Sequence, residues 1–175
     1  DLKRLGKAND VWRDRLELNP KRLDGMATSL GAVASLPDPL HRILEERRLA
    51  SGLVAKKISV PLGVVGVIYE SRPNVTIDLT ALAIKSGNAL VLKGGRESYR
   101  TNKVLVHLVQ NALRQIGISP DTIYLINPES EWKKDLFSAH GLIDVLIPRG
   151  GQGLIDFVRK NANIPVIETG AGVCH

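Results

Sequence analysis

Two segments of the chain set paired glycines beside cations: Lys93-Gly94-Gly95-Arg96-Glu97-Ser98 and Pro148-Arg149-Gly150-Gly151-Gln152-Gly153. Glycine lets the backbone come close to a ligand, and lysine or arginine supplies positive charge. Each segment follows a short apolar run and leads into a helical pattern, so unpaired N–H groups and a helix dipole meet at the turn. A single Gly-Gly turn is ordinary chain reversal. Two of them, each beside a cation after a strand-like run, point to an anionic ligand. A third segment, Glu70-Ser71-Arg72-Pro73-Asn74, also follows an apolar run, and its proline suits the first position of a helix. Arg72 offers a forked donor set for phosphate or carboxylate, or else serves a local cap or salt bridge. None of the three is the G-x-G-x-x-G turn of ordinary dinucleotide folds, so a dinucleotide bound here would be held differently.

Other reactive side chains carry less. Cys174 and His175 look like a nucleophile and a base, but neighbours on a strand point to opposite faces, so adjacency does not couple them. Cys174 reads as packing. His41, His107 and His140 are scattered without ligand spacing, and no metal is expected. A single cysteine excludes an internal disulfide and suits a reducing cytoplasm. The net charge of +6 raises the question of nucleic acid. Yet Arg13, Arg15, Lys21, Arg22, Arg47 and Arg48 alternate with acids along stretches read as helical, the pattern of a solvated face. A mild positive excess suits a phosphorylated small ligand equally well.

With 43% hydrophobic and 24% charged residues in 175, the composition is that of a globular protein, and 4% aromatics imply an aliphatic core. No apolar run approaches the roughly 20 residues of a membrane span. No secretion-type leader pattern is visible, so a cytoplasmic location is expected. The chain begins at Asp1, has Met26 as its one methionine and stops just after a strand-like run, which suggests a piece of a longer protein.

The elements that must hold these loops can be read from periodicity. Asn19-Pro20 caps and starts a helix whose inner face carries Leu23, Met26, Ala27, Leu30 and Ala34. Asp38-Pro39 is read as restarting a helix through Leu40, Ile43 and Leu44, while residues 53–59 alternate weakly and fit an edge strand. From Pro61 the texture changes. Strands are expected at 64–69, 89–93, 122–126, 143–147 and 164–167, rich in Val, Ile and Leu as strands buried on both faces are. Helices are expected at 73–86, ending at Gly87-Asn88, at 98–116, ending at Gly117, and at 150–160. This alternation predicts an α/β fold: an open parallel sheet of about five strands with helices on both faces. The expected division is a helical segment over residues 1–52 and an α/β domain over 53–175.

Residues 60–74, ending in Glu70-Ser71-Arg72-Pro73-Asn74, resemble the gamma-glutamyl phosphate reductase family, also called glutamate-5-semialdehyde dehydrogenases. So do residues 85–95, residues 143–151 with Ile147-Pro148-Arg149-Gly150-Gly151, and Gly172-Val173-Cys174-His175. Upstream, Asp14-Arg15-Leu16, Asn19-Pro20-Lys21-Arg22 and Leu36-Pro37-Asp38-Pro39 fit as well. The resemblance implies the aldehyde dehydrogenase superfamily, whose cofactor domain is an open α/β sheet without the usual glycine fingerprint. It implies NADPH-dependent reduction of L-glutamyl 5-phosphate to glutamate 5-semialdehyde with release of phosphate, a step of proline biosynthesis, through attack of a cysteine thiolate on the acyl carbon.

Carried over by motif, Lys93 would contact the adenosine ribose, with Gly94, Gly95, Arg96 and Ser98 in the same cofactor turn. The charge and place of Arg96 suggest the 2′-phosphate as its partner. Arg149, Gly150 and Gly151 would lie at the pyrophosphate, with a backbone N–H serving where the superfamily has a serine. Ser71, Arg72 and Asn74 would line the substrate and oxyanion side. The family's nucleophile stands in a Pro-Ser-x-Cys-Asn segment that is absent from these 175 residues, so no catalytic residue is expected in this chain and it is expected to be inactive alone. Glu168 is a weak candidate for a general base. The resemblance gives a small-molecule substrate and no nucleic-acid or membrane partner, and leaves room for a homo-oligomer in the full-length protein. The alternative is a non-catalytic nucleotide-binding or interaction module on the same fold.

Overall fold

The structure, a computed structural model, describes residue 1, residues 10–70 and residues 72–168. The chain runs through two helices, α1 (Asp10–Leu16) and α2 (Pro20–Ser35), into a hairpin of β1 (Ile43–Arg48) and β2 (Val54–Ile58). It then alternates β3 (Val64–Tyr69), α3 (Pro73–Lys85), β4 (Ala89–Lys93), α4 (Tyr99–Gln115), β5 (Ile123–Leu125), α5 (Trp132–Phe137), β6 (Val145–Arg149) and α6 (Gln152–Asn161). The local signals at the helix ends behave as read. Asn19 Oδ1 accepts the Arg22 N–H at 3.0 Å at the start of α2. Gly87 and Gly117, at φ 68° and 76°, end α3 and α4 in a backbone conformation that favours glycine.

Four parallel strands form the sheet in the order β5-β4-β3-β6. The run expected at 164–167 adds one isolated parallel bridge, Val166 to Leu146, beyond β6. The α/β prediction therefore holds, with four full strands and a fifth position at the edge. Along β3, Val65, Val67 and Tyr69 join the buried cluster with Val75, Val106 and Leu113, on the side of α3 and α4. Ile68 belongs to the opposite cluster with Leu136, Phe137, Leu146 and Val158, under α5 and α6. The core is mainly aliphatic on both sides, with Tyr69 the aromatic of the first cluster and Phe137 that of the second. On the second, Phe137 stands edge-on to Trp132 and Phe157, with ring centroids 5.9 and 5.6 Å apart.

Two readings of the first third are corrected. Leu40, Ile43 and Leu44 do not continue a helix: His41 turns the chain at φ 55°, and Ile43 begins β1, antiparallel to β2. Opposite charges face each other across that ladder, Glu45 to Lys57 and Glu46 to Lys56, with the Lys56–Glu46 pair at 3.1 Å. Cross-strand pairing thus outweighs a three-residue apolar stripe. Gly52, at φ 85°, makes the turn of this hairpin. Arg47 and Arg48 accordingly lie on a strand. Helix α5, too short for a visible period, was not expected at all.

A buried polar chain ties the sheet to its helices. Thr76 donates to Asn102 Oδ1 at 3.1 Å, which leaves the Tyr69 hydroxyl to donate to Thr76 Oγ1 at 2.8 Å. Asn102 Nδ2 donates to Ser98 Oγ at 3.1 Å, and Ser98 donates to the Gly95 carbonyl at 3.2 Å. Thr76, Ser98 and Asn102 are fully buried. Burial pushes the Tyr69 phenol from 10.0 up to about 12. The folded state therefore holds this proton more tightly than the unfolded one. The stabilisation is whole below pH 10 and is lost as pH rises through about 12. Removing the hydroxyl in Tyr69→Phe should cost about 1 kcal/mol near neutral pH. In urea unfolding at increasing alkalinity the gap to wild type should close above pH 10. A gap independent of pH would show that the phenol titrates alike in both states.

Candidate functional site

The strand order places a reversal at β3: β4 and β5 lie on one side of it and β6 on the other. Ligands of open α/β sheets bind outside the carboxyl ends of the strands at such a reversal. Here Tyr69 and Arg149 are register partners, and the Glu70 N–H donates to the Arg149 carbonyl at 3.3 Å. The turn Gly150-Gly151 then opens α6, whose cap residue Gly151 has no side chain to offer. The Glu70 carboxylate reaches this turn from across the crevice and accepts the N–H of Gly151 itself at 2.9 Å. A Cβ on Gly150 would lie 2.7 Å from Glu70 Oε1, so the close approach requires glycine. The helix start does hold an oxyanion, as its composition suggested. The oxyanion is the protein's own, and Glu70 is the site residue that sequence reasoning missed. Its signal was present, an acid at the end of a strand beside a glycine turn in a neighbouring strand, but the pairing spans 81 residues.

Beside this contact a cavity of about 290 Å3 is lined by Arg15, Glu70, Arg72, Asn74, Arg149 and Gly150, among others. A larger cavity of about 800 Å3 against α2 and α3 shares Arg15, Arg72 and Asn74 with it. Arg72 and Arg149 are thus brought together, with Asn74 between helix and crevice. Among the described residues Arg72 enters no salt bridge, and it gives α3 no side-chain cap, so the local alternative has no support. Ser71 and Cys174 lie outside the described residues. Glu168 is described and stands 3.8 Å from Arg159.

The other glycine turn forms a separate group at the end of β4. Lys93 is only 8% exposed; its ammonium donates to the Gly94 carbonyl at 2.6 Å and sits 4.6 Å from the centroid of the Trp132 ring. Burial above all lowers its pKa, and the charges of Arg96 and Lys133 add to that while Glu97 opposes it. A Cβ on Gly94 would meet Asn102 Nδ2 at 2.6 Å and the Tyr69 ring at 3.1 Å, so the turn is pressed onto the buried polar chain. Gly95 caps a short 3-10 turn. Ser98 is fully buried and spends its hydroxyl on Gly95 and Asn102, which shapes the turn and leaves nothing for a ligand. Arg96 is exposed and lines a cavity of about 400 Å3 with Pro128, Trp132 and Lys133. The donors fit a phosphorylated dinucleotide: an oxyanion-holding helix start at one end, and lysine, arginine and an aromatic ring at the other. Among the described residues no group of three His, Cys, Asp or Glu could hold a metal, and no helix is long and apolar enough to cross a membrane.

Comparison with known proteins extends the resemblance to the whole chain. No family profile matches. The gamma-glutamyl phosphate reductase of Pelodictyon phaeoclathratiforme is 54% identical over all 175 residues, which make up 42% of its length. The crystal structure of the Thermotoga maritima gamma-glutamyl phosphate reductase superposes with TM-score 0.86 at 40% identity, covering 91% of this chain and 39% of that one. A NAD-dependent benzaldehyde dehydrogenase from Corynebacterium glutamicum shares the fold, with TM-score 0.65 at 21% identity over 95% of this chain and 38% of its own. The chain spans about two fifths of the curated relatives it matches.

Glu70 and Gly150 are coupled by the contact across the crevice. Gly150→Ala should drive the carboxylate off Gly151 and cost about 1–2 kcal/mol, the loss of a helix cap. With Glu70→Ala already present, the same change should cost clearly less. Thermal unfolding of the two single variants and the double one measures this, and strictly additive losses would contradict the contact.

Proposed function

We propose that this chain, which matches gamma-glutamyl phosphate reductases along all 175 residues, forms the cofactor-binding part of an acyl-phosphate reductase. The reaction is the reduction of L-glutamyl 5-phosphate by NADPH to glutamate 5-semialdehyde, with phosphate as the leaving group. The observation that carries this reading is the pair of cation-flanked glycine turns at the carboxyl ends of β4 and β6, on either side of the strand reversal. Its support from the relatives is their name and identity; for the nicotinamide cofactor it is the donor set described above.

The dinucleotide supplies the hydride, and the residues of this chain bind and orient it. Lys93, already desolvated beside Trp132, faces the adenosine ribose, and the Gly94-Gly95 backbone allows close approach. Arg96 reaches the 2′-phosphate from the rim of its cavity. Arg149, Gly150 and the Gly151 N–H take the pyrophosphate, which replaces the Glu70 carboxylate as the anion at the start of α6. Arg72 and Asn74, with Ser71, hold the substrate side. The cysteine nucleophile is assigned to no residue of this chain.

The part played by Arg96 separates NADPH from NADH. In fluorescence titrations of the purified chain, Arg96→Ala should weaken NADPH by about ten- to a hundredfold, the value of a charge-assisted hydrogen bond, and leave NADH nearly unchanged. Equal losses for both would remove the 2′-phosphate from Arg96. A chain that binds neither would overturn the cofactor reading.

A further inference from the structure

Helix α5, which no periodicity announced, brings an aromatic ring to the glycine turn after β4. Trp132 opens that helix, and its ring is held by Phe137, which is 6% exposed and meets it edge-on with centroids 5.9 Å apart. The rest of the indole is shared. The Lys93 ammonium lies 4.6 Å from its centroid, the nearer of two cations at this ring, with Lys133 at 6.0 Å. The ring also lines the cavity of about 400 Å3 beside Arg96, and among the described residues it is the one aromatic there. The charged groups of that cavity nearly cancel, with Arg96, Lys133 and Lys134 set against Glu129 and Glu131. The cavity as a whole is therefore no anion trap. It suits a flat, neutral group with a single phosphate at its Arg96 rim, and an aromatic face is what such a group packs on.

We propose that Trp132 is a cofactor-binding residue, its indole the platform on which the adenine base of the dinucleotide stacks. This rests on the placement of ribose and 2′-phosphate given under Proposed function and adds the base to it. In a 2′-phosphorylated adenosine, base and phosphate are carried on adjacent carbons of one ribose. With the ribose at Lys93 and the phosphate at Arg96, the base has little freedom left, and the surface that joins those two residues is the Trp132 ring. Lys93 and Trp132 then act on neighbouring parts of the ligand. The ammonium keeps two N–H donors beyond the one given to the Gly94 carbonyl, and the ring supplies contact area without charge. Neither the glycine turns nor the family resemblance brought α5 into the site.

The test uses the purified chain and two halves of the ligand, adenosine 2′,5′-bisphosphate and nicotinamide mononucleotide. The chain has two tryptophans, so Trp12→Phe leaves Trp132 as the single indole emitter. The bisphosphate should quench that emission saturably, and the mononucleotide should not. By calorimetry, Trp132→Leu, which keeps apolar bulk and loses the aromatic face, should bind the bisphosphate about tenfold more weakly or worse, the value of one base–aromatic stack. Trp132→Phe, with a smaller ring, should recover part of the loss. Melting temperatures equal to wild type separate lost stacking from lost folding; were Trp132→Leu to melt lower, the emission of the Trp12→Phe chain decides alone. Bisphosphate binding that leaves Trp132 emission unchanged, or Trp132→Leu with undiminished affinity, would overturn the platform. So would quenching by the mononucleotide alone. If NADPH still binds in those cases, the cofactor reading survives without Trp132; a wild type that binds neither NADPH nor the bisphosphate removes both.

Discussion

Strand β3 is buried along both faces and hydrogen-bonded along both edges, and the remaining architecture is arranged around that constraint. A strand with neighbours on both sides can be entered by crossovers only above or below the sheet. The chain uses one face for the α3 and α4 connections and the other for α5 and α6. The carboxyl ends of β3 and β6 therefore diverge into helices on opposite faces, and the gap between them is the crevice. Gly66 shows how tightly β3 is held, since a Cβ there would lie 2.5 Å from the Leu146 side chain.

Electrostatics then decides what the crevice can take. A helix start with free N–H groups in a protein of net charge +6 attracts an anion. Glu70 supplies one within the fold, and so protects the glycine turn from an unsatisfied donor. A dianionic pyrophosphate competes with a single carboxylate on favourable terms, because it brings more charge to the same N–H groups. At the other turn the buried chain from Tyr69 to Ser98 does the positioning. It joins the end of β3 to the 3-10 turn after β4, so the two glycine turns share a single rigid support.

Much of the fold was legible because it rests on local signals. Runs of Val, Ile and Leu marked the strands, and Asn19-Pro20, Gly87 and Gly117 marked helix ends through backbone geometry that only a few residues provide. The hairpin was not legible: its apolar residues, Ile43, Leu44, Val54 and Ile58, are all exposed, so neither period announces a buried face. Its evidence is the pairing of Glu45 and Glu46 with Lys57 and Lys56, which exists only once the chain has turned. The candidate site divides in the same way. The places of Lys93, Arg96, Arg149 and the glycines at strand ends could be read from composition. Glu70 enters through its contact with Gly151 across the crevice, which depends on β3 and β6 becoming neighbours. Ser98 erred in the other direction, a polar residue at a promising spacing whose hydroxyl is consumed inside the fold.

The central claim is that an anionic dinucleotide lies across the carboxyl edge of this sheet, spanning both glycine turns and replacing Glu70 at the start of α6. Titration of the isotope-labelled chain with NADP+ tests it most directly. Saturable shifts are expected at the backbone amides of residues 94–98 and 150–153, with the Gly151 amide moving as its acceptor changes from carboxylate to phosphate. The absence of saturable binding, or shifts confined to the 43–58 hairpin, would contradict it.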